Sequence, residues 1–201
     1  MSIVVLPGMG ATSEMYGGPW RSLPDSVFCD WPPYDGELTL ADAAVRVADT
    51  CPIRRADVLV GTSLGGMVAL EIALLVDVQR VVLISSAVSP QEVRALLRLL
   101  APLAEIPPIR FAQVIAGNVS TEEAKMFRNS DPRFLRAMCK AVADWRGASI
   151  PRHKIHRIHG DRDLVIRCPD DAIVIPGAGH LAAITHAEQC VDLLRELLGM
   201  E

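Results

Sequence analysis

Short, almost unbroken runs of Val, Ile and Leu punctuate the chain at Ile3–Leu6, Val58–Val60, Val81–Ile84, Ile155–Ile158 and Ile173–Ile175, with a weaker run at Val27–Asp30. Polar residues do not alternate with apolar ones inside them. That marks strands buried on both faces, as in a parallel sheet. Between the runs the period changes to that of a helix. Thr39-Leu-Ala-Asp42 has the S/T-x-x-D form of a capping box and leads into AAVRVAD. Leu64 to Leu75 is apolar nearly all round and predicts a central, buried helix. Ala187 to Leu198 places Cys190, Val191, Leu194, Leu197 and Leu198 on one face and stops at Gly199. Strand and helix in alternation predict a doubly wound α/β domain with a mostly parallel sheet of about six strands.

From about Pro90 to Gly147 this rhythm stops, and only helical signals remain. QEVRALLRLLAPL is Leu-rich and amphipathic, and STEEAKMF opens on a good N-cap. DPRFLRAMCKAVADW has Asp131 as cap and Pro132 at the first helical position. The expected organisation is a single domain, 1–201, with a helical lid over about 88–149 inserted between strands. Ligands bind beyond the C-terminal edge of such sheets, which makes the insertion a pocket cover. Leu96 to Leu103 reads as lid packing first, and only secondarily as the wall of an apolar acyl or alcohol pocket.

Composition narrows the function. At 201 residues the chain is long enough to bury a sizeable core. Half of it is hydrophobic and the mean hydropathy is +0.28, yet no apolar run is long enough to span a bilayer. The N-terminus MSIVVLPGMG has no basic region before its short apolar run, so no signal peptide is expected. A net charge of −4 and 4% aromatic residues leave neither a basic stripe nor stacking rings for nucleic acid. Five cysteines are scattered, odd in number and without a C-x-x-C. They predict small buried thiols kept reduced, and hence a cytoplasmic protein. His153, His156 and His159 lie three apart, so on a strand they alternate between faces and cannot converge on one metal. No metal and no cofactor are expected.

The chemistry centres on Gly61-Thr62-Ser63-Leu64-Gly65, a G-x-S-x-G pattern between a predicted strand and a predicted helix. So tight a turn strains the serine backbone, and the glycines remove side chains that would collide with the flanking elements. Ser63 Oγ is left exposed at a helix N-terminus, where free N–H groups favour developing negative charge. A serine needs a base to take its proton and a carboxylate to orient that base. KIHRIHGDRDLV carries Asp161 and Asp163 just beyond one strand, and AIVIPGAGH ends the next in His180. Local physics leaves the choice between Asp161 and Asp163 open, since both sit on one loop. His186, at the start of the last helix, reads as solvent-facing, and His159, before Gly160, as a turn brace.

These motifs resemble the α/β-hydrolases of the small, lidded, esterase-like kind over nearly the whole chain: VVLPGMG after the first strand, GTSLGG at the elbow, HGDRD and GAGH after the last two strands. The resemblance implies a catalytic triad of Ser63, Asp163 and His180, the final Asp of H-G-x-x-D being the acid. It also implies an oxyanion hole from the backbone N–H groups of Leu64 and Met9. Pro7-Gly8 stands where the family carries His-Gly, and the family's first antiparallel strands are missing. GMGATS also fits the start of a dinucleotide fingerprint, but Ser13 occupies the third glycine position and YGGPW would break the helix. The expected activity is hydrolysis of a small carboxylic ester or thioester with an apolar acyl or alcohol part. The alternatives are C–C hydrolysis, acyl transfer or lyase chemistry on this fold, or a non-catalytic ligand-binding or interaction protein on a hydrolase scaffold.

Overall fold

The computed structural model describes residues 1–94 and 130–200. Among them β1 (Ile3–Leu6), β2 (Ser26–Phe28), β3 (Val58–Thr62), β4 (Arg80–Ile84), β5 (Ile155–Gly160) and β6 (Ile173–Ile175) form one sheet in the order β2-β1-β3-β4-β5-β6. Every neighbouring pair is parallel. The chain runs outward from β1 to β2, then crosses back over β1 to β3 and continues to the other edge. The C-terminal ends of β1 and β3 therefore lie side by side where the connections diverge, the crevice in which open α/β sheets bind ligands.

Both faces of the sheet are covered, which is why the strands show no alternation. Val4, Leu6, Leu59 and Leu83 point into one core with α1 (Leu40–Thr50), α2 (Leu64–Val76) and α3 (Pro132–Asp144). Their neighbours Ile3, Val5, Val60, Val82 and Ile84 point into the other, with Trp20 and α5 (Ala187–Leu198). A short helix, α4 (Ala182–Thr185), precedes α5. Thr39 and Asp42 close the reciprocal capping box at the start of α1, and Asp131 with Pro132 starts α3 as its sequence predicts. α2 is buried over most of its length and reaches solvent at Leu74 and Leu75. Gly199 ends α5 in the left-handed conformation, at φ 65°. The crossover from β5 to β6 contains no helix, and its loop is pinned by an antiparallel bridge between Val93 and Ile166. QEVRALLRLLAPL beyond Arg94, including Leu96 to Leu103, and STEEAKMF lie outside the described residues.

One expectation is overturned. Cys29, just past β2, and Cys51, at the end of α1, form a disulfide with Cα atoms 6.4 Å apart. They are 22 positions apart in sequence, and only the return of α1 across the sheet brings them together. The pairing removes the ground for reading a reducing, cytoplasmic compartment from the cysteines. Cys139, Cys168 and Cys190 are free thiols. Among the described residues no helix is long and apolar enough to cross a membrane.

Candidate active site

The site grows out of the β3–α2 turn. Ser63 has φ 53° and ψ −118°, a conformation that L-residues avoid. Its surroundings hold it there: Ser63 N donates to Ile84 O at 3.0 Å, while Ser63 O accepts from Gly66 N at 3.0 Å and from Ser86 Oγ at 2.7 Å. A Cβ on Gly61 would lie 2.4 Å from the Gly65 carbonyl, and one on Gly65 would lie 2.4 Å from Pro7 O. Strand, helix and the loop after β1 therefore meet backbone to backbone around Ser63.

Three strand ends bring the predicted site residues together. Ser63 Oγ lies 3.0 Å from His180 Nε2, and His180 Nδ1 lies 2.9 Å from Asp163 Oδ2. Asp163 is 2 % exposed and fully engaged. Its Oδ1 accepts from Val165 N at 2.8 Å and Ile166 N at 3.0 Å. Burial works to raise the carboxyl pKa, but the adjacent His180, hydrogen bonds from His159 and His180 and the Ile166 N–H together hold it well below the usual carboxylate range. Asp161 goes elsewhere: it accepts from Gly177 N at 2.7 Å and ties the β5 loop to the β6 loop. His186 contacts Thr185 Oγ1 on the exposed side of the α4–α5 junction.

Two residues join this site that sequence reasoning gave no such place. Buried His159 has Nε2 3.1 Å from Asp163 Oδ2 and 3.3 Å from Ile166 O. A ring nitrogen facing two acceptors must carry the proton, so His159 donates into the acid loop. Its position next to Gly160 at the C-terminal end of β5 was the available signal. The second is Trp31. Its Nε1 donates to Gly8 O at 3.0 Å, and Ala11 N donates to the same carbonyl at 3.2 Å. In a trans peptide the carbonyl and the following N–H point in opposite directions. Pinning Gly8 O thus fixes the direction of the Met9 N–H. Among the described residues neither Met9 N nor Leu64 N has a hydrogen-bond acceptor. Met9 lines the small pocket of about 20 Å³ that Gly8, Ala11, Thr62 and His180 form around Ser63, and Leu64 follows Ser63 as the first residue of α2. Tyr16, buried between the ends of β1 and β3, bonds Leu6 O at 2.6 Å and Thr62 Oγ1 at 2.8 Å and so ties the two strands. Among the described residues no group of three or more His, Cys, Asp or Glu could hold a metal ion.

With this geometry in view, comparison with known proteins is decisive for the family. The model of the alpha/beta hydrolase family matches residues 3–193. The chain belongs to the alpha/beta hydrolase family. No curated protein matches it significantly. Among solved structures, a thermophilic esterase from Thermogutta terrifontis superposes with a TM-score of 0.72 at 18% identity, covering 98% of this chain and 89% of its own. A lipase-esterase related protein from Clostridium acetobutylicum ATCC 824 gives 0.74 at 16% identity, with 97% and 93% covered. The type II thioesterase BorB from the borrelidin biosynthetic cluster gives 0.69 at 18% identity, with 97% and 91% covered. Likeness at such identity is likeness of fold.

Proposed function

We propose that this hydrolase cleaves a small carboxylic ester or thioester through an acyl-enzyme on Ser63. The observation that carries the reading is the unbroken line from Ser63 Oγ to His180 Nε2 and from His180 Nδ1 to Asp163 Oδ2, with links of 3.0 Å and 2.9 Å. Asp163 accepts the Nδ1–H and leaves the Nε2 lone pair facing the serine hydroxyl. Ser63 Oγ forms a bond to the acyl carbon as its proton passes to His180 Nε2. The carbonyl oxygen becomes an oxyanion received by the N–H groups of Met9 and Leu64. Collapse breaks the bond to the alcohol or thiol, which takes the proton from His180. Water then gives a proton to His180 and attacks the acyl carbon; the Oγ–acyl bond breaks as His180 returns that proton to Ser63 Oγ, releasing the acid and restoring both residues.

Esterases and a type II thioesterase with the same fold act on acyl groups, in keeping with this reading, but the substrate class rests on the site itself. The lid over about 88–149 is kept as part of this proposal because it begins after β4, at the C-terminal edge of the sheet; its residues 95–129 lie outside the described ones. Labelling with a fluorophosphonate probe tests the mechanism. A single adduct by intact mass on wild type, absent from Ser63→Ala and much slower to form on His180→Ala, is the expected result. No adduct on folded wild type would reject the acyl-enzyme and favour a ligand-binding role.

A further inference from the structure

The pocket around Ser63, about 20 Å³, holds little more than a scissile group. Beside it lies a cleft of about 360 Å³. Ala11 lines both, so they adjoin through the loop that carries the Met9 N–H. The far walls of the cleft come from the segment after β2, with Trp31 and Tyr34, and from the start of α3, with Phe134. The Phe134 ring packs 5.3 Å from Trp31 and 6.4 Å from Tyr34. Pro32 and Pro33 stiffen the loop between them.

The charges in the cleft are already engaged. Asp131 caps α3 through Arg133 N and pairs with the Arg133 guanidinium at 2.8 Å, and that guanidinium also lies over the Tyr34 ring. Asp30 accepts from Ser13 N. Among the described residues lining the cleft no cation is left over to receive an anion, and Asp30 and Asp131 would repel one. The rings offer flat, polarisable faces, and a dry apolar cavity of roughly 150 Å³ already admits a benzene ring. The cleft therefore has room for a ring and a short linker.

The geometry points to this cleft as the seat of a flat, uncharged, ring-bearing group of the substrate. This deepens the serine-hydrolase reading and rests on it for turnover, though not for binding. Two ester pairs with matched carbon counts test it: benzyl acetate against heptyl acetate, and ethyl phenylacetate against ethyl octanoate. In wild type, kcat/KM is expected to favour the ring by about tenfold in one pair. The pair that shows it tells whether the ring belongs to the alcohol or to the acyl side. Tyr34→Ala and Tyr34→Asp, at a partly buried position on the margin of the core, should bring that ratio close to one in variants whose urea midpoints show them folded. A ratio near one in both wild-type pairs, or a preference that neither Tyr34 variant moves, overturns the assignment. Tryptophan fluorescence of Ser63→Ala titrated with benzyl acetate gives a readout without turnover. Saturable quenching that Tyr34→Asp abolishes supports the seat even if wild type hydrolyses nothing, whereas no saturable change refutes it. Turnover without ring preference would leave the serine mechanism standing and remove only the cleft.

Discussion

At Trp31 one hydrogen bond sets the direction of a peptide plane. The loop after β1 has Pro7 where the family resemblance implies a bracing histidine, and the indole Nε1 reaching Gly8 O at 3.0 Å braces that loop from the segment after β2. Trp31→Phe keeps the ring and loses the N–H. Removing a whole oxyanion donor costs about 100- to 1,000-fold in kcat. A donor left in place but no longer pinned should cost about tenfold, with KM for a short ester nearly unchanged. Steady-state kinetics with a fluorophosphonate labelling rate checks this, and a change in KM alone would deny the bracing role. Asp163 offers a second test, on stability. Its folded pKa lies below the unfolded value because His180, His159 and the Val165 and Ile166 N–H groups face it. The folded state thus binds fewer protons, so the stabilisation is complete above about pH 4 and is lost as pH falls through the folded value. Asp163→Asn should cost roughly 2 kcal/mol or more at neutral pH, the worth of hydrogen bonds to a charged group. The gap between the urea midpoints of the two proteins should begin to close as pH falls below about 4 and go on narrowing with further acidification.

The elements show what a sequence makes legible and what it withholds. β1 runs over the predicted residues because a strand buried on both faces writes itself as an unbroken apolar run; β6 also falls on its predicted residues, although Ile173 and Val174 are exposed at the sheet edge. Ser63, His180 and a carboxylate after β5 are legible as candidates because each follows such a run, and strand ends on one edge of a parallel sheet converge; Asp163 over Asp161 comes from the family resemblance alone, since both follow the same run. Trp31 is not, since its partner is set by a contact between loops that no local pattern encodes, and for His159 the one signal is its place beside Gly160 at the end of β5. The glycines of the elbow stand between these cases: their need was plain, and their neighbours were not. Gly65 shows the consequence most sharply, because its missing Cβ leaves room for the Pro7 and Leu6 carbonyls, both within 2.6 Å of where that atom would be. Gly65→Ala must push the end of β1 and α2 apart beside Ser63. A loss of more than about 3 kcal/mol in urea unfolding is expected, a value in the severe range for a single substitution. Labelling of Ser63 should fall further than stability alone explains. A variant of wild-type stability and reactivity would mean that the contact relaxes at no cost.

For the whole molecule, the cysteines divide into two classes that composition could not separate. Cys29 and Cys51 close a loop containing Trp31, Tyr34 and α1, so one covalent link bounds both the Trp31 bond to Gly8 O and a wall of the cleft. Cys139 and Cys190 are buried, and burial pushes their thiols up to about 11 and about 12. Cys168 is partly exposed, although burial and the carboxylates around it raise its thiol pKa too. Alkylation followed by intact mass should therefore count differently in each state. Native protein should take a single label slowly, at Cys168. Protein denatured without reductant should take three, and protein denatured after reduction should take all five. A count of five without reductant would show Cys29 and Cys51 to be free. If they are bonded, a closed loop with a separation of 22 residues restricts the unfolded chain by about 3 kcal/mol. Cys51→Ser under oxidising conditions and wild type under reducing conditions should then unfold at the same lowered urea concentration. Because the loop ends beside Trp31, the unbridged protein should also lose Ser63 reactivity below its unfolding transition, with brace and cleft wall loosening before the sheet gives way.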